Sequence, residues 1–112
     1  MYKKNLLFDK ANPLVKSIYK TTLNLPYKYQ SSIGDQLRRA CLSIVLNIVE
    51  GGARKGVKER RQFNSISYSS LKETKYLLYF MNEMKLIEAE IYEKLASDCN
   101  ELARILYCTI YR

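Results

Sequence analysis

Residues 47–62 read NIVEGGARKGVKERRQ, and the fold turns on how this stretch is understood. An apolar run ends in Asn47, Glu50 and a glycine pair, and five cations then fall within the eight residues 54–61. A phosphate-cradling loop would place a strand before the glycines and a helix after them. Its pattern is GxxxxGK[ST], so that backbone N–H groups and a lysine meet the phosphates together. Gly51 to Gly56 supplies GxxxxG, but Val57 and Lys58 follow, with no hydroxyl to hold magnesium. The residues before the glycines repeat with helical spacing. Ile33, Leu37, Ala40, Cys41, Ile44, Val45, Ile48 and Val49 make a wide apolar face over about four turns. IVLNIV alone also suits a strand by β-branching, yet the run from Ser32 to Glu50 has the length of a helix. The stretch is therefore a bend between two helices, with Gly51 and Gly52 as the expected C-terminal stop.

Outward from the bend, three more segments keep helical spacing. The segment before it starts at Ser31 or Ser32, either of which can cap it, and Asp35 in its first turn suits the positive end of the helix dipole. After the bend, Val57 to Met84 contains neither glycine nor proline. One row along it reads Phe63, Ser67, Ser70, Thr74, Leu77, Met81, Met84, bulky at the ends and small in the middle. Small residues there let a neighbouring helix approach closely; the same row also suits a solvent-facing serine patch. A fourth segment runs from Glu88 to the end on Ile91, Leu95, Cys99, Leu102, Ile105 and Leu106, with Glu90 and Lys94 placed as an i,i+4 pair. The first segment runs from about Leu7 to Thr22, and Leu25-Pro26 ends it. Pro13 within it predicts a late start near Asn12 or a kink. Four amphipathic helices with short connections predict an all-α, antiparallel up-down four-helix bundle, with residues 1–112 as a single domain.

Composition agrees and removes several classes. Four glycines and two prolines cannot supply the turns, one per about 8–12 residues, of an all-β fold. Cys41, Cys99 and Cys108 lie in helical patterns without CxxC spacing, and read as small core residues in a reducing cytoplasm. MYKKNLLFDK lacks the apolar core of a signal peptide, and LSIVLNIV, the longest apolar stretch, is far short of a membrane span.

The chain has no histidine, which removes the commonest general base and metal ligand. Ser43, Ser65, Ser67, Ser69 and Ser70 therefore lack the usual activator. Glu50 and Glu73 are the one carboxylate pair that a metal site within the bundle would use. A hairpin centred near Arg54 instead sets Glu73 opposite Asp35 to Arg39, and predicts a salt bridge from Glu73 to Arg38 or Arg39. The residues point to a non-enzyme without cofactor or metal.

The net charge of +8 is unevenly placed: residues 1–61 carry 13 Lys/Arg against 4 Asp/Glu, and residues 62–112 carry 6 against 7. Arg54, Lys55, Lys58, Arg60 and Arg61 gather at the bend, beside the positive N-terminus of the third helix. Such density neutralises phosphates and predicts salt-sensitive, largely sequence-independent nucleic-acid binding, with Arg38 and Arg39 as secondary contacts. An acidic protein patch would suit the same cations, so a protein-interaction module is the rival. Ten tyrosines, among them Tyr76, Tyr79, Tyr107 and Tyr111, exceed what the core can turn inward and point to self-association.

The run RRACLSIVLNIVEGGARKGVKERRQFNSISYSSLKE, Arg38 to Glu73, resembles the bacterial four-helix-bundle family first described from intervening sequences in 23S rRNA genes. The matching positions are Arg39, Ala40, Ser43, Ile44, Asn47, Ile48, Glu50 and Gly51, then Arg54, Phe63 and Ser70-Leu71-Lys72-Glu73. Cys41-Leu42 and Val49 depart from the pattern toward bulkier residues. The resemblance implies a non-catalytic basic bundle that assembles as a ring-like homopentamer. It also implies structural roles for Asn47 and Glu50 in tying the second helix to its neighbours. Relatives include the accessory variability determinant of diversity-generating retroelements, which implies nucleic acid and a reverse transcriptase as partners.

Overall fold

The structure, a computed structural model, describes residues 5–112. Lys3 and Lys4, counted above in the basic half, lie outside the described residues. Among the described residues four long helices form: α1 (Leu6–Leu23), α2 (Asp35–Gly52), α3 (Val57–Glu83) and α4 (Ala89–Tyr111). Each packs on the one before it, and α4 closes the ring against α1. Contacts between the helices run in opposite order along each pair: Thr22 meets Arg38, Ser43 meets Ser70, Tyr68 meets Tyr107 and Lys10 meets Glu101. The bundle is therefore up-down-up-down, 43 Å long, as the 27 residues of α3 at about 1.5 Å each require.

The sequence period predicts much of the core: Leu37, Ile44, Ile48, Met81, Leu102 and Leu106 are fully buried. Ile18, Leu71 and Leu78 are fully buried as well, whereas Met84 and Ile91, both on expected rows, are 54% and 41% exposed because they lie at helix ends. The small-residue row of α3 faces α2 rather than solvent. Ser67 Oγ donates to the Ile44 carbonyl at 2.8 Å, the Ser43 and Ser70 hydroxyls share a bond of 2.7 Å, and Thr74 bonds back to the Ser70 carbonyl. These hydroxyls replace bulky side chains, so α2 and α3 pack closely, and each has a partner, as burial demands.

Helix ends account for most of the corrections. α1 does not start late. Asn5 Oδ1 accepts from the Phe8 N–H at 2.9 Å and caps it, so Pro13 lies inside the helix. That cap, and the burial of Ala11 with Leu7 and Phe8 against the core, outweigh the hydrogen bond that Pro13 omits. Neither Ser31 nor Ser32 caps α2; both are exposed within a turn of π-helix, Gln30–Gly34, that runs straight into Asp35. Helical structure here begins at Tyr27, just after Pro26. At the other end of α2 no glycine adopts a left-handed conformation. Gly51 serves close approach instead: a Cβ there would lie 3.2 Å from Phe63 Cβ and 3.3 Å from Asn64 Oδ1 on α3. Among the described residues the left-handed one is Lys85, φ 58°, which closes α3 through bonds from Lys85 N–H to Asn82 O and from Leu86 N–H to Met81 O.

Candidate nucleic-acid interface

The bend between α2 and α3 brings the five predicted cations to one end of the bundle but divides them into two kinds. Arg54 pairs with Glu50 one turn back on α2, approaches Glu59 at 3.9 Å, and stacks 4.9 Å from the centre of the Phe63 ring. Arg60 reaches back to the Arg54 and Lys55 carbonyls at 3.2 and 2.6 Å. These two arginines brace the turn, since they satisfy backbone oxygens and a carboxylate that the chain reversal leaves open. Lys55, Lys58 and Arg61 are exposed and make no ion pair among the described residues. Lys58 and Arg61, three residues apart, share one face of the first turn of α3.

The N-terminus of α3 favours an anion less than its dipole alone suggests. Asn5 at the start of α1 approaches Gly52, and Thr109 near the end of α4 lines a cavity of about 300 Å³ with Gly51, Gly52, Val57 and Arg61. Two helix N-termini and two C-termini therefore meet at this end, and their fields oppose each other. Attraction for an anion here comes from the side chains.

Arg38 and Arg39 are not part of this surface. They sit near the start of α2, about 20 Å along that helix from its end at Gly52. Arg38 donates to Thr22 Oγ1 and Gln30 Oε1, both at 3.0 Å, and to the Gln30 carbonyl at 2.6 Å, and it lies over the Tyr19 ring. Gln30 in turn donates to the Thr22 and Leu25 carbonyls, so this network fastens the end of α1 to the start of α2. Arg39 pairs with Asp35 at 2.9 Å. The salt bridge from Glu73 to Arg38 or Arg39 does not form, because nearer acceptors hold both arginines; Glu73 is exposed. Likewise Lys94 pairs with Asp98 rather than Glu90.

Asn47 turns back on its own helix, donating to the Ser43 carbonyl and hydroxyl at 2.8 and 3.1 Å, and Ser43 carries the link on to Ser70 of α3. Glu50 and Gly51 both serve the bend, one through Arg54 and the other by its small size. Cys41 and Cys99 are buried, and burial pushes their thiols up to about 11 and about 12, so both stay protonated at neutral pH. Cys108 is exposed. Tyr76, Tyr79, Tyr107 and Tyr111 are all substantially exposed. No group of three metal-ligating side chains occurs among the described residues, and no described helix is long and apolar enough to cross a membrane.

The model of the 23S rRNA-intervening sequence protein family matches residues 3–108. The chain belongs to that family. A solved structure shares the family fold: a protein of unknown function from the S23 ribosomal protein family of Bacteroides thetaiotaomicron VPI-5482. It superposes with a TM-score of 0.86 at 24% identity, over 96% of this chain and 100% of the other. No curated protein matches the chain. Family membership accounts for the run from Arg38 to Glu73 and for the bundle.

Proposed function

We propose that this family member is a non-catalytic, basic scaffold that binds nucleic acid through the phosphate backbone at its bend end. The observation that carries the proposal is the set of three exposed cations without ion-pair partners among the described residues, Lys55, Lys58 and Arg61, on a turn that Arg54 and Arg60 hold in shape. Cations without an internal partner neutralise phosphates without first giving one up, and they release counterions from the polymer. The absence of histidine from the chain supports the non-catalytic part.

The test is retention of a structured RNA and of duplex DNA across a salt series. Affinity should fall steeply as salt rises, and replacing Lys55, Lys58 and Arg61 with glutamine should flatten that dependence. Affinity indifferent to salt, or to the triple replacement, would count against the proposal. An acidic protein as the partner predicts a different outcome: capture from lysate that survives nuclease treatment.

The proposal extends to assembly. Leu46, Tyr76 and Tyr79 are 62%, 60% and 48% exposed, apolar surface that association of copies would cover. A homopentamer is the state that the family resemblance suggests, and light scattering on the eluting peak decides it. A reverse transcriptase as protein partner rests on the same resemblance, and co-purification of the two expressed together tests it.

A further inference from the structure

A second basic surface lies along the seam of α3 and α4, where the charge count of the sequence showed none. Lys72, Lys75, Arg104 and Arg112 line an open groove of about 470 Å³ together with Tyr68 and Tyr107. No carboxylate side chain lines it among the described residues. Two acids of α4 are held elsewhere, Asp98 by Lys94 and Glu101 by Lys10. Lys72, Lys75 and Arg104 make no ion pair among the described residues.

The aromatic side chains give this surface a chemistry that the bend lacks. Tyr68 and Tyr107 face each other across the seam, ring centres 6.3 Å apart, and Tyr107 leads on to Tyr111 at 4.7 Å. Tyr107 and Tyr111 are 47% and 63% exposed, so aromatic surface stands open to solvent, Tyr107 within the lining of the groove and Tyr111 next to it along α4. Lys72 Nζ lies 5.2 Å from the centre of the Tyr68 ring, which holds its charge beside that surface. A purely ionic ligand such as free phosphate leaves the rings unused, and a duplex hides its base faces. A single strand uses both components, its phosphates on the cations and its unpaired bases on the rings.

We propose that the α3–α4 groove binds single-stranded nucleic acid by stacking bases on Tyr107 and Tyr111, with Lys72, Lys75 and Arg104 on the flanking phosphates. The groove begins about 10 Å along α3 from Arg61 and needs none of the bend residues.

Fluorescence anisotropy tests the groove with the full chain and labelled oligouridylate and oligothymidylate of about 12 nucleotides. A duplex and an abasic oligomer of the same length serve as controls. Tyr107→Leu should weaken the binding of at least one base-bearing single strand by about 5- to 100-fold, and Tyr107→Phe should retain it. Duplex and abasic affinity should not respond to either change. Lys72→Gln and Arg104→Gln should each lower the salt slope for single strands by about 0.7. Circular dichroism melting of each variant confirms that the bundle is intact. Single-strand affinity indifferent to Tyr107→Leu, or duplex affinity that falls equally, overturns the groove alone. Failure of the wild-type chain to bind any of the polymers overturns both the groove and the bend.

Discussion

At the far end of the bundle Arg38 gives its hydrogen bonds to Thr22 and Gln30 and lies over Tyr19, all within the same chain. At the bend end Arg54 and Arg60 do similar work, but Lys55, Lys58 and Arg61 beside them have no ion-pair acceptor among the described residues. Both regions show adjacent cations in a list of residues, Arg38-Arg39 at one end and Arg54-Lys55 and Arg60-Arg61 at the other. They differ in the carbonyls and carboxylates within reach of each cation, and that difference separates a fastening from a contact surface. A cation count becomes informative only after the internal acceptors have been subtracted.

The largest effect expected from breaking this contrast is on binding. Replacing Lys55, Lys58 and Arg61 with glutamine should reduce affinity for structured RNA about 10- to 100-fold at low salt and lower the salt slope by about 1 per residue. Urea unfolding should hardly change, since surface replacements of this kind stay within about 0.5 kcal/mol. Arg38→Met should show the converse. The Gln30 carbonyl and Thr22 hydroxyl lose their charged donor, and stability in urea should fall by about 2–3 kcal/mol with binding by the folded protein unchanged. Equal losses of binding in the two variants would erase the distinction.

Smaller changes sharpen it through the backbone. Gly51→Ala should cost about 1 kcal/mol despite the better helix propensity of alanine, because Phe63 Cβ is tied to its own backbone and α3 must move away. A variant as stable as the parent in urea would mean that the bend has slack. At the far end Lys85→Gly should stabilise by about 0.5–1 kcal/mol, by relieving a left-handed conformation that a Cβ disfavours. Thermal melting should register that as a rise of a few degrees.

The sequence made the bundle legible because its signal is repeated. Leu37, Ile44, Ile48, Leu102 and Leu106 each repeat the same period. The row from Ser67 to Thr74 suited a helix seam and a solvent-facing patch alike, and only the position of Ser43 and Ile44 opposite it decides for the seam. The ends were less legible because each rests on one local contact. Asn5 as the cap of α1, Gln30 as the collector of the Thr22 and Leu25 carbonyls, and Lys85 in a glycine-like position leave no periodic trace. The five bend cations were visible as a group, but which of them turn inward depends on where Glu50, Phe63 and the Lys55 carbonyl come to lie. The α3–α4 groove escaped for a related reason. Residues 62–112 carry 6 cations against 7 acids, and that sum conceals how the helix faces sort them. The spacing of Tyr68, Lys72 and Lys75, and of Arg104, Tyr107 and Tyr111, was the available signal.

The wide turn at Gln30–Gly34 acts as a phase corrector. Tyr29, Ile33 and Leu37 recur every four residues, and in a regular α-helix each such step overshoots the preceding one by about 40°. A looser turn absorbs that overshoot, so Tyr29 and Ile33 still reach the core that Leu25 and Leu37 occupy. Removing one residue from this segment would let the helix tighten into regular α geometry with its flanks still in nearly the same phase, since a π turn holds one residue more than an α turn. The segment thus keeps time between two stretches of chain that would otherwise drift out of step.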